Sequence, residues 1–275
     1  MIRDITLGQY YPAKSMIHQL DPRVKLVTTI LYVISLFVAK GVLGYALATL
    51  FLVMAIKLSK VPFGYMTKGL KAIVMILLFT VVFNLFLIDG EVELWRFGFL
   101  RITDRGLKTA IFMAIRLIYL IIGSSVMTLT TTPNDLTDGL ERLLGPLKRL
   151  HVPVHEIAMM MSIALRFIPI LLEETDKIMK AQIARGADFE TGNLIQKAKA
   201  MVPLLVPLFI SAFRRANDLA MAMEARCYHG GEGRTKMKPL HYASCDKMAY
   251  AVIWGYLFLM VGLTWLERTY AIALL

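Results

Sequence analysis

The sequence predicts an all-α integral membrane protein, with about five transmembrane helices and a cytoplasmic-side region of long, kinked, crossing amphipathic helices. Three observations carry this. First, 57% of the 275 residues are hydrophobic and only 19% are charged, with a mean hydropathy of +0.60. Soluble domains sit nearer about 45–50% apolar and about 25% charged. Second, apolar runs recur at lengths close to the roughly 20 residues that a helix needs to cross a bilayer. Third, the stretch 130–245 carries 15 Lys/Arg and 12 Asp/Glu yet still contains long apolar runs. Together these exclude a disordered chain, a fibrous repeat and a water-soluble enzyme.

The spans follow in order. The run 24–56 is too long for one helix, and Lys40-Gly41 interrupts it. It reads as helices over 24–39 and 41–57. Further spans are expected at 72–88, 107–129 and 249–266, with Asn84 and Arg116 as polar exceptions. The loops set the orientation. Arg3, Lys14, Arg23 and Lys25 precede the first span, and Lys57, Lys60, Lys68 and Lys71 follow the second with no acid among them. The opposite side shows Lys40 and a loop over 89–108 in which four basic residues balance four acidic ones. Positive residues stay in the cytoplasm, so the N-terminus is expected inside and the tail outside. The net charge of +11 sits beside apolar runs, where topology explains it, and no nucleic-acid partner is expected. The first 25 residues hold no apolar core, so no cleaved signal peptide is expected. Cys227 and Cys245 lack disulfide or metal-ligand spacing.

Three parts result: a membrane domain over 1–129, a cytoplasmic domain over 130–245 and a C-terminal membrane helix over 246–275. In the cytoplasmic part, Thr132 is a candidate N-cap before Pro133. Pro153 opens a long helix over about 154–185 that Gly186 ends, and a second runs over about 194–226. Pro169, Pro203 and Pro207 are expected to kink them. Both helices are apolar in the middle and charged at the ends, which suits neither a simple lipid-facing span nor a free arm.

Chemistry-bearing motifs are scarce. Gly64-Tyr65-Met66-Thr67-Lys68-Gly69 lacks the Lys-Ser/Thr ending of a phosphate loop. His151, His155 and Glu156 at the start of the first long helix read as an interfacial cluster rather than a metal site, which needs more ligands. No cofactor is expected. What repeats is an arginine between small residues at each long-helix C-terminus: Ala184-Arg185-Gly186 and Ala225-Arg226-Cys227. A cation there is favoured by the helix dipole. Small neighbours also let a foreign backbone approach, and a guanidinium bonds carboxylates or carbonyls bidentately. The two arginines are 41 residues apart, and a helix of about 32 residues is roughly 48 Å long. The tips therefore fall tens of ångströms apart, suited to two like partners with one groove each.

At this point the chain resembles the transmembrane T component of energy-coupling factor (ECF) transporters, ATP-driven importers of vitamins and some metal ions. The resemblance rests on Tyr11-Pro12, Ser15, His18, Leu20, Asp21-Pro22-Arg23 and Lys25; on Leu165-Arg166-Phe167-Ile168-Pro169 with Gln182-Ile183-Ala184-Arg185-Gly186; and on Met223-Glu224-Ala225-Arg226 with Gly230-Gly231 and Arg234-Thr235. Cys227 stands where Gly or Ser is expected. The resemblance implies a non-catalytic scaffold in a bacterial-type cell membrane, joining two cytoplasmic ATPases to a membrane-embedded, substrate-binding S component. Arg185 and Arg226 would each enter a groove of one ATPase. Met159, Met160, Met161, Met201, Pro203 and Pro207 are expected to face the S component, methionine suiting surfaces that accept several partners. Two alternatives stay open: a self-contained secondary transporter, with Arg116 and Asn84 its only intramembrane candidates, and a membrane enzyme, for which no nucleophile or metal cluster is found.

Overall fold

Apolar runs this long fold as helices because only internally hydrogen-bonded backbone is tolerated in hydrocarbon. The computed structural model describes residues 9–39, 41–88, 93–97, 100–189, 193–231, 233, 237 and 239–273. Helices α1 (Met16–Gln19), α2 (Pro22–Val38), α3 (Val42–Ser59) and α4 (Phe63–Leu87) come first. A ribbon of β1 (Glu93–Phe97) and β2 (Leu100–Thr103) follows. Then come α5 (Asp104–Thr130), α6 (Pro133–Leu143), a 3-10 turn (Gly145–Leu150), α7 (Val154–Ala184), α8 (Leu194–Ala225) and α9 (Ser244–Ala273). The chain divides into two compact units: one comprises Gly8–Gly139 and Leu240–Leu275, the other contains Leu140–Pro239.

Among the described residues, five helices are long and apolar enough to cross a membrane: Val42–Ser59, Asp104–Thr130, Val154–Ala184, Ile195–Ala225 and Ser244–Glu267. Three of these overlap expected spans, at 41–57, 107–129 and 249–266. The expected span at 24–39 forms α2, which with 17 residues is somewhat short. The span expected at 72–88 begins earlier, at Phe63, and its axis turns by 62° between Phe63–Lys71 and Ile73–Leu87. The turn falls where the lysine-bearing half gives way to a half without charged residues. The two long helices α7 and α8 also meet the length and apolarity of a span, although their charged ends argued otherwise in the sequence.

The expected loop over 89–108 is not wholly irregular. It contains an antiparallel ribbon pairing Phe97 with Leu100 and Arg96 with Arg101, with a bulge between Glu93 and Trp95. The sequence of β2, Leu100-Arg101-Ile102-Thr103, alternates apolar and polar residues as a strand does, and that of β1 breaks the alternation at Leu94-Trp95, where the bulge falls. Lys40, Asp89, Arg234 and Thr235 lie outside the described residues, as does Arg3.

The first unit is built around Tyr32, Leu36, Tyr45, Leu52, Met66, Ile122, Val126, Ile253, Tyr256 and Met260. Its helix ends are capped both locally and from afar. Asp21 caps α2 by accepting from the Arg23 N–H at 2.9 Å, with Pro22 at the first helical position, where its missing N–H costs nothing. The Asp21 N–H donates to Asp246 Oδ1 at 2.9 Å, and Asp246 Oδ2 accepts from the Ala243 N–H at 2.7 Å. The α2 and α9 starts are thereby joined. Lys25, almost fully buried, donates to the carbonyls of His18 at 3.1 Å and Thr130 at 2.8 Å. One ammonium thus serves the C-terminal ends of both α1 and α5. Burial lowers the His18 pKa, and the nearby Lys25 charge adds to this. The neutral ring donates from Nε2 to the Tyr11 carbonyl at 2.9 Å and accepts the Ser15 hydroxyl at Nδ1 at 2.6 Å.

At α5, Thr103 accepts the Gly106 N–H at 3.1 Å and donates to the Ile88 carbonyl at 2.7 Å. A Cβ on Gly106 would lie 3.1 Å from the Leu85 carbonyl oxygen and 3.2 Å from that of Ile88. Glycine is what lets the two helices approach there.

Candidate functional site

The unit holding 140–239 is dominated by α7 and α8, which pack as an antiparallel pair. Glu174 of α7 accepts the Ser211 hydroxyl and the Arg215 Nη2–H of α8, the latter at 2.9 Å. Eight residues on, Gln182 Nε2 donates to the Pro203 carbonyl at 3.4 Å. On the other side of Glu174, a cavity of about 290 Å³ is lined by Ile163, Phe167 and Leu171 of α7 and by Ala212, Ala216, Leu219 and Met223 of α8. Residue numbers rise on one helix as they fall on the other. The C-terminus of α7 therefore lies beside the first third of α8, and the C-terminus of α8 beside the first third of α7. Residues 203 to 226 span roughly 35 Å of helix, so the Arg185 and Arg226 ends sit at opposite ends of the pair.

Both ends are built alike. Arg185 is the C-cap of α7. The Gly186 N–H donates to the Ile183 carbonyl at 2.9 Å and the Ala187 N–H to the Gln182 carbonyl at 3.0 Å. Arg226 is the C-cap of α8. There the Cys227 N–H donates to the Glu224 carbonyl at 2.9 Å and the Tyr228 N–H to the Met223 carbonyl at 3.0 Å. These are two Schellman motifs, each with a left-handed residue after the cap: Gly186 at φ +88° and Cys227 at φ +53°. Arg185 and Arg226 with their neighbours Ala184, Gly186, Ala225 and Cys227 are all exposed. Neither guanidinium has an ion-pair or hydrogen-bond partner among the described residues. The sequence assigned the small residues to the approach of a foreign backbone. The structure adds a local reason: a Cβ on Gly186 meets nothing within 4 Å, so its positive φ is what favours glycine there.

The candidate contact residues fall into two groups. Met160, Met161 and Met201 are about half exposed or more, at 57%, 50% and 49%, and Pro203 and Pro207 are exposed, whereas Met159 is half-buried. Helix α8 runs through both prolines, and α7 through Pro169, without interruption. Met201 is part of a larger surface of α8 that residue type alone does not reveal. Met201, Val202, Leu205, Val206, Phe209, Ile210 and Phe213 are all exposed and recur at the spacing of one helical face. Testing the run 201–213 for that period would have found it.

Other candidates are engaged locally. His155 Nδ1 pairs with Glu141 Oε1 at 2.9 Å, and its ring packs so close to Gly231 that a Cβ there would fall 2.3 Å from Cδ2. Among the described residues, no three His, Cys, Asp or Glu side chains gather as metal ligands. The string over 64–69 lies within helix α4, not in a loop. Arg116 Nε donates to the Tyr45 hydroxyl at 3.0 Å and Nη2 to the Ala39 carbonyl at 3.4 Å. Asn84 donates to the Thr80 carbonyl of its own helix at 2.7 Å.

Fold and site together define a multi-pass helical membrane protein whose two longest helices end in exposed, identically capped arginines. The chain belongs to the CbiQ family, described as cobalt transport protein, which it matches over residues 13–237. It is 57% identical over 250 residues to the energy-coupling factor transporter transmembrane protein EcfT of Clostridium kluyveri, covering 90% of this chain and 93% of that protein. It is 54% identical to the EcfT of Ruminiclostridium cellulolyticum over 265 residues (96% and 97%) and 51% identical to that of Bacillus subtilis over 246 residues (90% and 93%). The resemblance to ECF T components drawn from the motifs is thereby borne out over nearly the whole chain.

Proposed function

We propose that this chain is the non-catalytic coupling subunit of an ATP-driven ECF importer, linking two cytoplasmic ATPases to a membrane-embedded S component. The observation that carries this is the twin arginine tip: two exposed guanidinium groups without a partner among the described residues, on matching Schellman caps, at opposite ends of one helix pair. Ala184-Arg185-Gly186 docks one ATPase and Ala225-Arg226-Cys227 the other. The exposed stripe of α8, with Met160 and Met161 of α7, receives the S component, and Met159, Pro203 and Pro207 border it. ATP-driven closure moves the tips, and the apolar faces of the helices pass that motion to the S component, which releases a vitamin or similar micronutrient inward. In this reading 130–245 is the coupling domain between the membrane parts 1–129 and 246–275. The N-terminus is cytoplasmic and the tail outside. Arg116 already has partners in Tyr45 and Ala39, so a secondary transporter built on it gains no support.

The test is co-purification. Arg185→Glu and Arg226→Glu each weaken capture of the ATPases, and the double variant abolishes uptake while membrane insertion persists. Wild-type uptake by the double variant overturns the reading. Cys227 and Cys245, both free and exposed, report orientation: a membrane-impermeant thiol reagent reaches them in opened but not in intact cells.

A further inference from the structure

We infer that Gln182 is a positioning residue for the Arg185 tip, its side chain latched onto a backbone carbonyl that Pro207 deprives of its helical donor. In an α-helix the carbonyl of residue 203 accepts the N–H of residue 207. Pro207 has no N–H, and its ring crowds that carbonyl. A freed carbonyl must find another donor or water, and neighbouring helices commonly supply one beside a helical proline. Here Gln182 Nε2, from α7, supplies it at 3.4 Å.

Gln182 is also the base of the α7 cap. Its own carbonyl accepts the N–H groups of Arg185 and Ala187, both at 3.0 Å. The residue that sets the course of the backbone at the tip is therefore the residue tied to α8. The tie matters because of where the other one lies. Glu174 holds Ser211 and Arg215, and positions 174 and 182 fall on one face of α7, about 12 Å apart along its axis. A helix pair joined at one point pivots about it; joined at two, it holds an angle. Gln182 thus fixes the angle at which α7 presents Arg185, and displacement of that tip is carried into α8 at its proline pair rather than lost in a local swing.

This inference rests on the reading that Arg185 docks an ATPase, so the test has two arms. The first needs no partner. The full chain, with Cys227 and Cys245 replaced by serine, is spin-labelled at Ala181→Cys and Ala198→Cys, two exposed positions, and the inter-label distance distribution is measured at pH 8. Gln182→Glu, isosteric but without a donor, broadens the distribution; Gln182→Lys, which keeps a donor, leaves it narrow. Pro207→Ala returns an N–H to the helix and broadens it too, and Gln182→Glu then adds nothing. A narrow distribution in Gln182→Glu overturns the inference, as does equal broadening by Gln182→Glu with and without Pro207.

The second arm uses the chain assembled with its ATPases and S component. Gln182→Glu retains the ATPases but lowers transport per ATP about fivefold, the scale of one lost hydrogen bond, and Gln182→Lys restores it. If Arg185→Glu fails to shed the ATPase, the docking reading falls while the spin-label result stands. If Arg185→Glu sheds it and Gln182→Glu keeps transport per ATP within twofold of the wild type, the latch has no role in coupling.

Discussion

Lys25 Nζ lies 2.8 Å from the carbonyl oxygen of Thr130, 105 residues away in the chain, and 3.1 Å from that of His18. A buried ammonium occupies the place where two helices end and their last carbonyls have no N–H of their own. Replacing Lys25 by Met keeps the apolar stem but removes the donor, leaving two buried carbonyls unsatisfied at about 1–3 kcal/mol each. Lys25→Met is therefore expected to lower the thermal midpoint of the purified subunit in detergent by several degrees. An unchanged midpoint would show that water takes over both carbonyls.

Asp21 gives a pH-dependent counterpart. Burial pushes its carboxyl up, but hydrogen bonds and charge from Arg23, with help from the Lys25 charge, outweigh that and hold it below the ordinary carboxylate range. The Arg23 guanidinium grips it with two bonds, at 3.0 and 2.7 Å, and also lies 3.9 Å over the Tyr242 ring. A carboxyl depressed by folding stabilises the fold above its unfolded pKa, near 4, and that contribution is lost as the pH falls through the folded value. Asp21→Asn should therefore cost about 1–3 kcal/mol at pH 7. The gap to the wild type should stay flat from pH 8 to about 5 and narrow below about 4. Thermal melts across that pH range check it.

Much of this framework is legible in the residues. Asp21-Pro22 announces a capped helix start, Thr132 a cap for α6, and Gly186 the end of α7, because each depends on neighbours within a turn. What escapes is what the fold brings together. Asp246 as acceptor for the Asp21 N–H, Thr130 as acceptor for Lys25 and Glu267 Oε1 as cap for the Leu43 N–H at 3.0 Å link positions more than a hundred residues apart. The twin caps were half visible. Arginine between small residues stood out twice, but Cys227 hides a left-handed backbone that a glycine would have advertised. The ribbon at β1 and β2 is poorly announced, because β1 is short and its alternation breaks at Leu94-Trp95.

That hidden backbone makes a prediction of its own. Cys227 holds φ +53° and Gly186 φ +88°. A side chain in this region costs roughly 1–2 kcal/mol, and glycine relieves it. Cys227→Gly should stabilise the α8 terminus, with slower amide exchange at Cys227 and Tyr228, the two N–H groups that close its cap. Gly186→Ala should speed exchange at Ala187 to a similar degree, through strain alone, since open space surrounds the site. Equal exchange in both variants and the wild type would mean the caps are not held in solution.

The Glu174 clasp is open to a double-mutant cycle. One carboxylate serves two donors on α8, the Ser211 hydroxyl and Arg215 Nη2. Glu174→Gln keeps an acceptor oxygen for one of them and loses the charge. Ser211→Ala removes one donor, and Arg215→Met removes the other with its charge while keeping much of the stem. The pair is partly exposed, with Arg215 and Glu174 side chains at 39% and 22%, so solvent screens the ionic part and Glu174–Arg215 coupling of about 0.5–1 kcal/mol is expected. Coupling between Glu174 and Ser211 should be comparable and should persist at high salt, because a hydroxyl donor carries no net charge to screen. Measured by thermal unfolding, a salt-insensitive Ser211 term beside a salt-weakened Arg215 term identifies the clasp as two separate bonds. If both terms vanish at 1 M salt, the hydroxyl contributes nothing of its own and α7 and α8 are joined there by charge alone.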